Sequence, residues 1–175
     1  DQALSTFPFH LYWNAFRNTL STTARGDSRR WAAHEEQDER LFGWIDVHSV
    51  RRLHEGGAEE DLTPSLRHLH PDGNQDDRTV MEVSSESPVA PGETVRFGIE
   101  WTSRIPYGTV GRAGWVHDYH FIAQWFPKIG VFWNGEWNCH PFYAVTEFFS
   151  DYGVYDVRLT VPRGFVVGAT GRREE

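Results

Sequence analysis

Val95-Arg-Phe-Gly-Ile-Glu-Trp101 decides the fold class of this chain. Val95, Phe97, Ile99 and Trp101 alternate with Arg96, Gly98 and Glu100. That is the period of a strand with one face against a core and one facing water. Pro91-Gly92 supplies a turn ahead of it. The same alternation recurs where Val157, Leu159 and Val161 interleave with Asp156, Arg158 and Thr160, and Pro162 then ends the run because it cannot donate to a ladder. Gly164 leads into a further short strand, Phe165-Val166-Val167. Asn134-Gly135, between Phe132-Trp133 and Glu136-Trp137, predicts a tight hairpin, since both turn residues tolerate positive φ. Gly43 to Val50 and Arg78 to Val83 add two strands. Many short strands separated by turn signals predict an all-β fold, an antiparallel sandwich or a saddle-like sheet.

Helix is scarce in this pattern. Ser28 to Arg40 is the one candidate, capped by Asp27 or Ser28 and polar enough to lie on the surface. Gly56 to Pro64 and His70 to Asp77 read as polar connectors. Tyr119 to Phe126 reads as a strand with apolar residues on both sides, Phe121, Ala123 and Trp125 against Ile122 and Phe126, so both its faces should be covered. Gln124 is its conspicuous polar intruder.

Composition narrows the function classes. Aromatics reach 15% with eight Trp, far too many large rings for a disordered chain. Mean hydropathy is nonetheless −0.56, so the apolar groups must be patterned rather than spread. Net charge is −8, and basic residues cluster no further than the pairs Arg29-Arg30, Arg51-Arg52 and Arg172-Arg173, which argues against a nucleic-acid surface. With Cys139 as the one cysteine, no intrachain disulfide can form. No run of about 18 apolar residues suggests a spanning helix. Met81 is the single methionine and the chain opens at Asp1, so residues upstream of Asp1 are expected.

Several constellations resemble catalytic or metal sites. His34-Glu35-Glu36-Gln37-Asp38 starts like the His-Glu-x-x-His helix of zinc peptidases, which sets two imidazoles one turn apart beside a general base. The second His position holds Asp38, no third ligand is evident, and a solvated charged helix is the better reading. His68 with His70, and His117 with His120, are pairs of the kind that nine histidines produce by chance. Cys139 and His140 are neighbours on an extended chain and point apart, so a partly buried thiol is expected rather than a dyad. Gly108, Gly111 and Gly114 lack the strand–helix setting of a dinucleotide site and read as a loop between strands.

Three blocks taken in order carry a resemblance. F-I-A-Q-W-F-P-K-I-G-V-F from Phe121, E-F-F-S-D-Y-G-V-Y-D-V-R-L-T-V-P from Glu147 and G-F-V-V-G-A-T-G from Gly164 resemble the N-terminal β-domain of zinc metallopeptidases similar to aminopeptidase N and leukotriene hydrolase, in a bacterial branch. His10 to Phe16 and Gly43 to Val47 look like earlier landmarks of that domain. The resemblance implies a single β-domain over residues 1–175, incomplete at both ends. It also implies a zinc-bearing catalytic domain elsewhere in the same polypeptide as partner, and a peptide as substrate. Catalytic and metal residues are expected in that other domain, so the chain alone should hold no cofactor and be inactive. Its role would be to cover the peptidase cleft. Gln124 is the residue the resemblance places against the substrate's free α-amine. If early strands and the catalytic domain are missing, an unpaired sheet edge and an exposed apolar face should make the chain aggregate or pair with itself. The alternative is a stand-alone aromatic-rich β-sandwich that binds carbohydrate, with Trp133 and Trp137 as exposed rings beside the hairpin turn.

Overall fold

The computed structural model describes residues 2–27, 38–110, 113–145 and 148–174. Its strands, in chain order, are β1 (Leu4–His10), β2 (Trp44–Leu53), β3 (Glu59–Asp61), β4 (Arg67–His68), β5 (Val80–Val89) and β6 (Arg96–Arg104). Then come β7 (Gly108–Val110), β8 (Ala113–Val116), β9 (Tyr119–Phe121), β10 (Lys128–Ile129), β11 (Val131–Trp133) and β12 (Glu136–Asn138). They form a four-stranded sheet in the order β10-β1-β5-β4, two three-stranded sheets, β3-β2-β6 and β7-β8-β9, and the hairpin β11-β12. The ladders are antiparallel, with one isolated parallel bridge between Tyr107 and Trp115. The all-β expectation holds. The main helix among the described residues is α1 (Thr22–Gly26), whose N-terminus is capped by the Ser21 hydroxyl accepting from Ala24 N at 3.1 Å. No helix among the described residues is long and apolar enough to cross a membrane.

Two sheets meet across the core. In the β1–β5 ladder Phe7 faces Val83 and Phe9 faces Met81, so these four side chains project from one surface. They meet the sheet of β2 and β6, where the ring of Phe97 stands edge-on to Phe7 at 5.0 Å and to Phe9 at 5.5 Å. The Val95–Trp101 alternation is realised here, because Phe97, Ile99 and Trp101 pack against the buried cluster. β2 and β5 each run longer than their sequence patterns predict, and β3 lies within a stretch expected to be a connector.

The strand covered on both faces is β1, not the stretch around Gln124. Phe7, Pro8, Phe9 and His10 are all buried. Phe7 and Phe9 face the second sheet. Pro8 and His10 face the chain that follows β12, which Gly130 lets approach: a Cβ on Gly130 would lie 2.8 Å from Cys139 Cβ. Tyr12 locks that segment, its hydroxyl donating to Phe149 O and accepting from Phe149 N, each at 2.8 Å. Asn14 ties three parts together: it donates to Arg78 O, and its Oδ1 accepts from Ile45 N and from Arg17 Nε. A buried amide with its capacity used in this way fixes register at little cost.

Two expected elements differ. The strand proposed from 119 to 126 ends at Phe121, opposite Gly114, and Tyr119, Phe121 and Ile122 are exposed; beyond it Gln124 takes a left-handed conformation, φ 57°, which a continuing strand does not allow. The alternating stretches at 156–161 and 165–167 join no ladder. Their alternation records a strand that needs a neighbour, and among the described residues no strand lies alongside. The candidate helix from Ser28 falls largely outside the described residues; Asp38 caps a short 3-10 turn, Glu39–Leu41, at its end. The Asn134-Gly135 hairpin forms as predicted, with φ 53° and 85°.

Candidate functional site

Gln124 sits in the connection from β9 to β10, and its neighbours hold that connection on both sides. Ala123 O accepts from the indole Nε1 of Trp13 at 2.8 Å, and Trp125 O accepts from the Ser103 hydroxyl at 3.4 Å. The Trp125 ring lies 5.9 Å from Trp101 and 5.5 Å from Phe126, which in turn meets Tyr155 at 5.9 Å. Lys128 Nζ lies 5.5 Å over the Phe126 ring.

Within this aromatic bracket Gln124 carries two costs. Its backbone is left-handed, which a side chain with Cβ adopts rarely. Its Oε1 is buried with no hydrogen-bond partner, a loss of about 1–3 kcal/mol for such a group. Through Oε1 the amide therefore makes no bond to a neighbouring loop. Gln124 thus combines an unfavourable backbone conformation with a buried acceptor that has no partner.

The other sequence candidates do not assemble into a reactive centre. His34 to Gln37 lie outside the described residues, and Asp38 is engaged with Arg40. His117 sits in a turn at φ 53°, while His120 stacks on Trp115. His68 and His70 are half-buried and each leaves Nδ1 without a partner, with burial holding His68 below the ordinary imidazole range. Among the described residues no three His, Cys, Asp or Glu side chains converge as metal ligands. Gly108 and Gly114 are paired in the β7–β8 ladder rather than in an open loop, and Gly111 lies outside the described residues.

Cys139 is the partly buried thiol expected. Burial first, and the Glu82 carboxylate second, push it up to about 12. At pH 8 the native chain should therefore react with a disulfide reagent on the order of a thousandfold more slowly than the denatured chain. Colour release at equal rates from native and urea-treated protein would show that the thiol is open.

A histidine not singled out from sequence is the more unusual buried group. His10 is fully buried, stacks on Tyr12 at 4.6 Å and stands 6.1 Å from His140, and neither ring nitrogen has a partner. Burial, then His140 and Lys128, lower it to about 3, so it is neutral at physiological pH. The sequence signal was present in the unbroken apolar run that surrounds His10, which marks a doubly covered strand.

Trp133 and Trp137 diverge. Trp133 is 65% exposed and borders a depression of about 400 Å³ that Glu136, Asn138 and His140 also line. Trp137 turns inward, donating to Thr6 O at 2.9 Å and packing on Phe132 and Phe7. Compared with known proteins, the chain matches no family model, no curated protein and no solved structure.

Proposed function

We propose that this chain is the non-catalytic N-terminal β-domain of a zinc metallo-aminopeptidase-like protein, and that Gln124 receives the substrate's free α-amine. The observation that supports this most is the unpartnered Oε1 of Gln124 on a left-handed residue between two anchored carbonyls. An amide oxygen accepts a hydrogen bond from an ammonium group without itself carrying charge. It would therefore select peptides with a free N-terminus while adding no carboxylate to be desolvated in the cleft. The ordered blocks from Phe121, Glu147 and Gly164 support the family assignment, and the antiparallel all-β fold agrees with it.

Two measurements test the proposal. Coding sequence beyond Glu175 should specify a His-Glu-x-x-His helix, and its absence would end the peptidase reading. In the full enzyme, Gln124→Ala should cost about 1–3 kcal/mol of transition-state stabilisation on peptides with a free N-terminus and far less on N-blocked ones. Equal losses on both substrates would make Gln124 structural.

The carbohydrate alternative keeps one specific observation, the exposed ring of Trp133 beside polar side chains. Trp137 lines the same depression but is half-buried, with its indole N–H engaged by Thr6 O. Quenching of Trp fluorescence by soluble oligosaccharides, abolished in Trp133→Ala, would favour it over the peptidase reading.

A further inference from the structure

The stretch 153–161 has the composition of a strand and none of a strand's hydrogen bonds. It makes no backbone–backbone bond among the described residues, and it joins no ladder. Its apolar side chains stay open to solvent: Tyr155 59%, Val157 54%, Leu159 53% and Val161 43% exposed. Tyr155 turns toward the body of the protein, with its ring 5.9 Å from Phe126. In an extended chain Val157, Leu159 and Val161 follow Tyr155 on the same side, and Val154, Asp156, Arg158 and Thr160 take the other. Unpaired N–H and C=O groups beside a half-exposed apolar row are a template for another strand.

We infer that two copies of this chain associate through 153–161, paired antiparallel about a two-fold axis at Val157. The charges choose both occupant and register. With the axis at Val157, each Asp156 stands opposite the other copy's Arg158 on one face, and Val154 stands opposite Thr160. On the other face Val157 meets Val157, Tyr155 meets Leu159 and Gly153 meets Val161. Moving the axis to Asp156 or to Arg158 sets like charges directly against each other, which is destabilising. An axis at Leu159 brings Asp156 against Pro162, which has no N–H to give. A slip by one residue puts charged side chains opposite apolar ones. An isologous contact of this kind closes on itself, so it yields a dimer rather than a filament. The inference does not need the peptidase assignment, because it rests on the side-chain order and exposure of 153–161.

Sedimentation equilibrium of the 175-residue chain tests it. The unaltered chain should show a monomer–dimer equilibrium in the micromolar range. Asp156→Arg and Arg158→Asp should each weaken self-association about tenfold or more, since two attractive pairs become two repulsive ones. Mixed one to one, the two variants should dimerise with each other as well as the unaltered chain does with itself, because every cross-strand pair is again of opposite sign. Monomer at every concentration for the unaltered chain, unchanged dimerisation in the single variants, or failure of the mixture to recover would each overturn the inference.

Discussion

Trp13→Ala is expected to lower stability by about 3–5 kcal/mol, the range for deleting a large buried ring. Trp13 is only 2% exposed and belongs to the central cluster, so the vacated volume cannot fill with solvent at no cost. The same substitution removes the donor to Ala123 O and releases the segment that carries Gln124. Trp13→Phe keeps most of the volume and deletes the N–H alone, so it should cost less, about 1–3 kcal/mol, chiefly for the abandoned carbonyl. Urea unfolding gives both values. Hydrogen exchange over residues 122–127 should rise in both variants. A change of less than about 1 kcal/mol for Trp13→Ala would contradict the packing described here, since core truncations cost more.

Acid should destabilise the fold well before its carboxylates are neutralised. The unfolded His10 side chain titrates near 6.5, and in the folded chain it is lowered to about 3. Between those values the unfolded state binds a proton that the folded state refuses, so stability is complete above the unfolded value and falls as pH drops toward the folded one. The slope is about 1.4 kcal/mol per pH unit, or about 3 kcal/mol from pH 6.5 to 4. Carboxylates that are lowered, such as Glu60 and Asp61, act in the same direction but only below their own unfolded values. Comparing urea midpoints of the parent chain and His10→Phe across that window separates the two. Phe keeps the stacking surface on Tyr12 and has nothing to protonate at position 10, so its curve should fall less steeply than the parent's and keep only the part carried by His68, which burial also lowers. Parallel curves for the two proteins would mean that His10 does not carry the effect.

Local signals read correctly wherever one short segment meets one core. The alternation of Phe97, Ile99 and Trp101 gives β6 its inward face, and Asn134-Gly135 makes its own turn because the φ values it needs are local properties of those residues. Misreadings came where identical patterns have two meanings. Apolar residues on both sides of Gln124 suggest a doubly covered strand, yet the same rings serve a connection that contains one left-handed residue. The doubly covered strand was β1, whose apolar run is just as continuous.

By itself the amino-acid sequence determined the fold class, because a period of two and turn residues are properties of neighbours in the chain. It also limited chemistry: one cysteine, no basic cluster larger than a pair and no intact zinc-helix motif are facts of composition and order. Tertiary structure alone decided which groups lose water without gaining a partner. Trp13 and Ala123 are 110 positions apart, and Tyr12 and Phe149 are 137 apart. No local pattern links residues so distant, since their meeting depends on the sum of all intervening turns and packing. The buried, unpartnered acceptor of Gln124 and the two unpartnered nitrogens of His10 are consequences of those meetings. Burial is a property of the assembled core, and the same glutamine or histidine on an exposed strand would be solvated and ordinary.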